Sequence, residues 1–527
     1  MIRVLLVLIV FGGVFITSGF FQEFLTRPKS YFLLISTLFL LIGCLLSPKG
    51  LHKLIDAIQS KFLKKGVAII CLLVIVHGLL QYLGIMRSYH RAFAITGTFE
   101  NPAGFSTAIT TMFPFVLNLY CNKDNGLLLR IFSIFISLLC LMFVALAGSR
   151  TGFIAICSTI VVVLAFNDAV SSFFKSHRWL WILLPVIIVL SAILLYYVKK
   201  DSADGRVFIW GRCLEMIKER PLFGYGRYGF QSHYMNIQAN FFRSHPDSPY
   251  IMLADNVIHP FNEYLKLTVN YGLVGLAVAI ALLVWIVYRL FKSTMQTKVL
   301  GLSYVTSLFI MCLFSYPFEY GIVWLLSFLA IIPAFINKNK KLMIPGYTRI
   351  IASSLLFVLL ALIMRNMYYE MKWTEIAKRS LHGRAERMMP YYEDVQRVIG
   401  NNPLFLYNYA AELDAVQRYK ESLDVLSKCS KSWNEYNVQI LYSDVYAKTG
   451  QIDKAISACD EAYNMVPSRF GPLYRKMLVY MMSNDSVNAI NMANQILDKP
   501  VKIQSEELDR IISAAEGLIS HYEDEQL

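Results

Sequence analysis

Charge is scarce in this 527-residue chain: Asp, Glu, Lys and Arg together make up 16% of it against 56% hydrophobic residues, and the mean hydropathy is +0.48. That balance excludes an ordinary soluble protein and points to a membrane one. The nine cysteines include no CxxC pair and no Cys/His spacing suited to a metal, which argues against a zinc site or a disulfide framework. Cys44, Cys71, Cys140, Cys157 and Cys312 lie inside apolar runs and read as small core residues. Cys429 and Cys459 sit in a polar tail, where their spacing leaves a disulfide open. No clear small-x-small cleavage site follows the apolar opening MIRVLLVLIVFGGVFITSGF, so it reads as an uncleaved first span. The net charge of +14 does not indicate a nucleic-acid partner, because Lys and Arg cluster in short connections between apolar runs.

Those runs are what the sequence has in plenty. A bilayer-crossing helix needs about 20 mostly apolar residues, and eleven runs come close: 2–20, 31–47, 66–84, 103–121, 129–147, 151–167, 179–198, 271–290, 300–316, 320–336 and 347–364. With the N-terminus inside, the inner connections carry 17 basic residues: Arg3, Lys49, Lys53, Lys61, Lys64, Lys65, Lys123, Arg130, Lys175, Arg178, Arg289, Lys292, Lys298, Lys338, Lys340, Lys341 and Arg349. The short outer connections carry 5: Arg27, Lys29, Arg87, Arg91 and Arg150. The positive-inside rule then puts the N-terminus in the cytoplasm and the long polar stretch 199–270 outside. Eleven spans put the tail outside too. The sequence divides into a membrane domain, 1–366, with its extracytoplasmic loop 199–270, and an extracytoplasmic helical repeat domain, 367–527. The expected fold is all-α, a polytopic helix bundle followed by a helical repeat.

The tail repeats itself. Leu406-Tyr407 recurs as Leu441-Tyr442 and Leu473-Tyr474, and Ser422-Leu423 is answered by Ala455-Ile456 and Ala489-Ile490, the last two at spacings of 33 and 34 residues. The middle copy resembles a tetratricopeptide helix pair in its Gly450 turn, its Ala455 packing position and its closing Pro467. The other two copies lack the turn glycine. Such repeats bind a protein partner, dock an acceptor, or only pack.

Ionisable residues at a membrane edge are functional candidates because burying them costs several kcal/mol unless something pairs or uses them. Arg150, in ALAGSRTGFIA, has no acidic residue near it in sequence; it either snorkels to the headgroups or meets a lipid phosphate. Arg206, Trp210, Cys213, Leu214 and Ile217 fall on one helical face, ended by Pro221, Gly224 and Gly226. That face reads as an interfacial helix with solvated arginines or as an arginine grip on a diphosphate. The GYGRYG segment is too generic to name a phosphate loop. His259 lies where the chain re-enters the membrane and suits proton removal from an acceptor hydroxyl; it is also an ordinary loop histidine beside a proline. Asp255 and Glu263 are alternative bases.

At these residues the sequence resembles the O-antigen ligase superfamily, which includes O-antigen polymerases and bacterial protein O-oligosaccharyltransferases. Roughly residues 90–290 carry the likeness: GTFENPAGF with Asn101 and Pro102, the Gly148-Ser149-Arg150 turn, the Arg206 to Gly226 stretch with Trp210 and Gly224, and Asn262-Glu263-Tyr264-Leu265 running on to Gly272-Leu273-Val274-Gly275. The resemblance implies a glycosyltransferase-C-like membrane domain in the bacterial inner membrane. It further implies an undecaprenyl diphosphate-linked glycan as donor, an acceptor on lipid A core or a protein hydroxyl, and no metal or other cofactor. Arg150, Arg206 and Arg212 are the implied diphosphate contacts, and His259, Glu263 or Asp255 the implied base, with Arg206 offsetting leaving-group charge. Asn101, Pro102, Asn262 and Gly224 are the implied structural motif. The chain departs from the pattern at Phe261, where many ligases have the histidine that precedes the asparagine, and at Ala103; either His259 supplies the imidazole from a shifted position, or Asp255 or Glu263 serves, or no strong base is needed. A polymerase extending the glycan on its carrier is the alternative within the superfamily. A membrane scaffold presenting repeats needs fewer spans and no gathered arginines. A transporter is expected to show an internal repeat among its spans.

Overall fold

The computed structural model describes residues 1–122, 124–166, 176, 200–336 and 345–526. Among these residues the regular elements are all helical. Ten of the eleven apolar runs fall on helices; the run 179–198 lies outside the described residues, as do Lys123, Lys175, Arg178, Lys338, Lys340 and Lys341. Among the described residues six helices are long and apolar enough to cross a bilayer: Arg27–Leu46, Lys61–Tyr82, Leu127–Leu146, Glu263–Phe291, Met295–Phe314 and the helical stretch that starts at Gly346. Apolar side chains such as Leu138, Val278, Val284, Leu355 and Phe357 stand exposed on them, as lipid-facing residues do. Ile2–Phe15, Arg150–Ala165 and Gly321–Phe335 are shorter apolar helices.

Contacts divide the chain into two units, the first of Met1–Leu195, Phe261–Glu263 and Val278–Thr374, the second of Tyr196–Pro260, Tyr264–Ala277 and Glu375–Leu527. The helix Gly346–Arg379 runs through residue 366, and the first departure from helical geometry past it is at His382 and Gly383.

In the first unit the helix Pro102–Cys121 is the central member and packs on Lys61–Tyr82, Leu127–Leu146, Arg150–Ala165, Met295–Phe314 and Gly321–Ile331. Its serines, threonines and Pro114 are buried by protein, which explains why a helix this polar is tolerated at the middle of an apolar bundle. Thr111 returns its hydroxyl to the Thr107 carbonyl at 2.7 Å.

In the second unit the stretch 200–260 is a folded body with its own core. The helix Lys200–Glu219 buries Phe208, Ile209, Cys213 and Met216, and Phe208 packs on Phe241, Phe242 and Tyr250 with ring centroids 5.0 to 5.3 Å away. On the same helix Leu214 is 52% exposed and Met216 is fully buried. The helix Gly229–Ser244 then packs on Ile452–Met465 of the repeats.

The repeats are three antiparallel helix pairs, Pro403–Ala415 with Tyr419–Ser430, Tyr436–Lys448 with Ile452–Met465, and Gly471–Met482 with Ser486–Asp498, closed by Glu506–Gln526. Ser422, Ala455 and Ala489, the small residues of the sequence repeat, are each fully buried. The turn residue missing from the outer copies is replaced in kind: Gln417 and Asn484 hold φ of 62° and 58° where Gly450 holds 73°. Each turn closes with the same pair of backbone bonds, for example Gly450 N to Ala447 O and Gln451 N to Tyr446 O, matched by Gln417 N to Asp414 O and Arg418 N to Leu413 O. The disulfide left open between Cys429 and Cys459 is absent. Both are buried free thiols, Cys459 against the Ser443 hydroxyl and Cys429 donating to the Pro403 carbonyl.

Candidate active site

The re-entry segment is shaped by a break in a helix. Glu263–Phe291 loses helical geometry at Gly272, with φ 67° and ψ −170°, which frees peptide groups that cannot stay bare near a membrane. The loop after Lys200–Glu219 satisfies them: Tyr225 N and Gly226 N donate to the Val269 and Asn270 carbonyls, and Leu273 N and Val274 N donate to those of Pro221 and Leu222, at 2.7 to 3.2 Å. Asn270 adds two more bonds, accepting from Phe230 N at 3.0 Å and donating to Arg227 O at 3.1 Å. The two strands of chain approach so closely that a Cβ on Gly272 sits 2.1 Å from Leu222 O and one on Gly224 sits 2.4 Å from Val269 O. Both glycines also have positive φ. Gly224 and the Gly272-to-Gly275 run are therefore two halves of one stitched junction. Beside it Tyr225 donates its hydroxyl to the Glu219 carboxylate, and burial pushes the phenol up to about 12, so it stays protonated at neutral pH.

The same unit joins the arginine helix to the histidine segment. Trp210 donates its indole N–H to the Pro260 carbonyl at 2.9 Å. Arg206 is one helical turn before Trp210, on the same face, and His259 is the residue before Pro260. Both side chains are half-buried. Arg212 is engaged differently: it pairs with Glu215 at 2.7 Å and its guanidinium lies 4.0 Å over the Phe241 ring, which makes it part of the loop core. Asp255 faces the repeats, where its carboxylate accepts from Arg469 at 3.0 Å.

The repeats hold this segment through residues that sequence reasoning missed. Gln238, fully buried, donates to Asp255 O at 3.1 Å and to Met465 O at 2.6 Å while accepting from the Tyr234 hydroxyl at 2.9 Å. Glu435, 1% exposed, caps Tyr436–Lys448 by accepting from Asn437 N at 3.1 Å, and also accepts from the Asn256 amide. Burial is the largest influence on Glu435 and holds its carboxyl above the usual range. Neither lies in a motif, and a buried amide or carboxylate leaves no periodic signature.

In the first unit Asn101 is the N-cap of Pro102–Cys121: its Oδ1 accepts from Ala103 N and Gly104 N at 2.9 and 3.1 Å, and Pro102 takes the first helical position. The free side of the amide donates to the Tyr316 hydroxyl at 3.1 Å. Phe261 packs edge-on against the same Tyr316 ring, centroids 5.6 Å apart, so the Asn101-Pro102 motif and the Phe261-Asn262-Glu263 segment meet at one tyrosine. Tyr320 stacks behind it at 6.1 Å. The aromatic turn SYPFEY was the available signal for both tyrosines. Phe261 holds φ 55°, an unusual conformation for a bulky residue that costs about 1–3 kcal/mol. Upstream, Gln81 and Lys29 pin the backbone of 96–98. Gly148 and Ser149 turn the chain into Arg150–Ala165, with Ser149 capping Gly152 N, so Arg150 is the first residue of its helix, in a first turn with no acidic residue. Asn262 and Glu263 belong to this unit, and Glu263 is the first residue of the helix Glu263–Phe291.

Residues 135–280 match the O-Antigen ligase family. No curated protein matches the chain. Among solved structures, a chain of "Crystal structure of APC/C hetero-tetramer Cut9-Hcn1" aligns over 93% of this chain and 90% of that one, at 11% identity and a TM-score of 0.26, a likeness too slight to bear on fold or function. The matched stretch holds the Arg150 turn, the Arg206 helix, the stitched Gly224–Gly272 junction and the His259 segment, while Asn101 lies before it. Over residues 135–280 this membrane protein, whose described elements are all helical, is similar to the O-Antigen ligase family, whose role is glycan transfer or polymerisation.

Proposed function

We propose that this chain transfers a glycan from an undecaprenyl diphosphate carrier to an acceptor hydroxyl on lipid A core or on protein, at the extracytoplasmic face of the bacterial inner membrane. The acceptor oxygen attacks the anomeric carbon, a base takes its proton, and the bond from that carbon to the diphosphate oxygen breaks, leaving the charge on the carrier. Arg206 grips the diphosphate and offsets that charge, for which a planar guanidinium suits better than an ammonium. His259 takes the proton. On the first unit, Arg150 is assigned to a lipid phosphate, since an arginine in the first turn of a helix adds to the positive end of the helix dipole. Glu263 is kept as an alternative base. Arg212 and Asp255 contribute structure first, given their engagement by Phe241, Glu215 and Arg469.

The observation that carries this reading is the Trp210 to Pro260 hydrogen bond, which couples the arginine helix to the histidine segment within one folded unit. The test is deletion of the gene in its host, with surface glycans and glycoproteins compared before and after, followed by complementation with Arg206→Ala, Arg150→Ala and His259→Ala. Loss of transferred glycan on deletion, restored by the wild type and not by Arg206→Ala, is the expected result. An unchanged glycan profile overturns the proposal, and carrier-linked glycan shortened to single units assigns polymerisation instead.

A further inference from the structure

The second unit contains a cavity that no step above uses. It has a volume of about 350 Å³ and lies where the Asp255 segment meets the repeats, with Asp255, Tyr436, Asn437, Arg469, Lys502 and Glu507 among its lining. That size is at the small end of ligand sites, which run from about 300 to 1,000 Å³.

Its chemistry is balanced. The lining carries two cations, Arg469 and Lys502, and two carboxylates, Asp255 and Glu507. Arg469 is already bonded to Asp255 at 3.0 Å and rests 4.6 Å over the Tyr436 ring. Lys502 donates to the Ala254 carbonyl at 3.1 Å. The helix beginning at Tyr436 is capped by the Glu435 carboxylate, and the first turn of Glu506–Gln526 carries Glu506, Glu507 and Asp509. Arg469 is paired with Asp255, and the lining as a whole carries as many carboxylates as cations, so the cavity has no surplus charge with which to select an anion or a cation. What remains is a lining that combines hydrogen-bond donors and acceptors with the apolar side chains of Phe470, Leu508 and Ile511. A sugar ring presents the matching surface, hydroxyls at its edge and C–H groups on its face; a phosphate or a metal does not.

We propose that this cavity is a subsite for a neutral oligosaccharide segment of the glycan being transferred or extended. The inference rests on the glycan-transfer reading and deepens it. Asp255 lines the cavity four residues before His259, a separation that an extended chain spans in at most about 14 Å. A glycan seated here therefore lies within a few sugar units of the histidine. Lys502 and Arg469 grip Ala254 and Asp255 directly, so occupancy of the cavity is felt by that same segment.

The test uses full-length protein in nanodiscs, screened against immobilised neutral and acidic di- to tetrasaccharides, with affinities of the binders measured by calorimetry. A neutral oligosaccharide should bind; Glu507→Gln should weaken it about tenfold, the loss of a hydrogen bond to a charged group, and Asn437→Trp should fill the cavity and abolish binding. Both side chains are exposed, so the melting temperature of each variant should match the wild type. Binding confined to acidic glycans or to none, or binding indifferent to both substitutions, overturns the subsite. Binding without any change of cellular glycans on gene deletion overturns the transfer reading and leaves the subsite standing.

Discussion

The indole N–H of Trp210 reaches the carbonyl of Pro260 across 2.9 Å and 50 residues of sequence. It fixes how the helix bearing Arg206 meets the turn bearing His259, and it does so with a group that carries no charge and performs no chemistry. Trp210→Phe keeps the ring and removes the donor. Transfer from a lipid-linked donor should fall about tenfold, the effect of one lost hydrogen bond of 1–1.5 kcal/mol at a positioning contact. An unaltered rate would show that the bond does not align the site.

Gln238 is the corresponding tie between the His259 segment and the repeats. Gln238→Leu leaves the carbonyls of Asp255 and Met465 without their donor in a buried place, a loss of about 2–3 kcal/mol. Hydrogen exchange should quicken across residues 254–259 while the first helix pair, 403–430, keeps its protection. Equal protection in wild type and variant would mean that the segment is held by other contacts.

The stitched junction tolerates no side chain. Gly272→Ala brings a Cβ to 2.1 Å from the Leu222 carbonyl at a positive φ, so destabilisation should exceed about 2 kcal/mol. Gly517→Ala, where a Cβ meets nothing within 4 Å, should be neutral or stabilising by up to about 1 kcal/mol. Melting of the two variants in detergent compares them directly.

The repeat turns predict a gain. Gln417 holds φ 62°, a region open to glycine without a Cβ clash. Gln417→Gly should stabilise the repeats by about 0.5–1 kcal/mol, and Gly450→Gln should cost a similar amount. Protease resistance of the tail reads both, and a stabilising Gly450→Gln would contradict the turn assignment.

Glu435 gives a pH signature. Its folded pKa is raised by burial, so the folded state holds its proton more tightly than the unfolded chain, and stability declines as pH rises from the ordinary carboxylate value through the raised one. Glu435→Gln should flatten that slope, because the Asn256 amide, whose Oδ1 has no partner, can turn to meet the new donor. Melting temperatures of wild type and variant from pH 4 to 7 decide it; parallel curves would assign the slope to another group.

Much of the architecture was legible because it is local. Twenty-residue apolar runs become helices whatever surrounds them, and the 33- and 34-residue spacing of Ala455 and Ala489 with Ser422 marked the positions that turn out fully buried. The missing turn glycines read as degeneracy, although Gln417 and Asn484 adopt the same backbone as Gly450; left-handed geometry in a non-glycine residue has no sequence signal. The stretch 199–270 read as a polar loop, and its residues 200–260 are a folded body, because its core comes from Phe208, Phe241, Phe242 and Tyr250, which no single periodicity collects.

The sequence by itself determined the membrane character, the helix positions, the repeat period and the set of arginines and candidate bases, since each depends on composition or on neighbours within a few residues. Tertiary structure alone decided which of them share a surface. Asn101 and Phe261 meet at Tyr316, Arg212 is absorbed by Phe241, Asp255 turns to Arg469, and Gln238 bonds to Met465, at separations of up to 227 residues. Hydrogen bonds and ring contacts over such distances are set by how whole elements pack, and packing is fixed only when all of the apolar faces are buried at once.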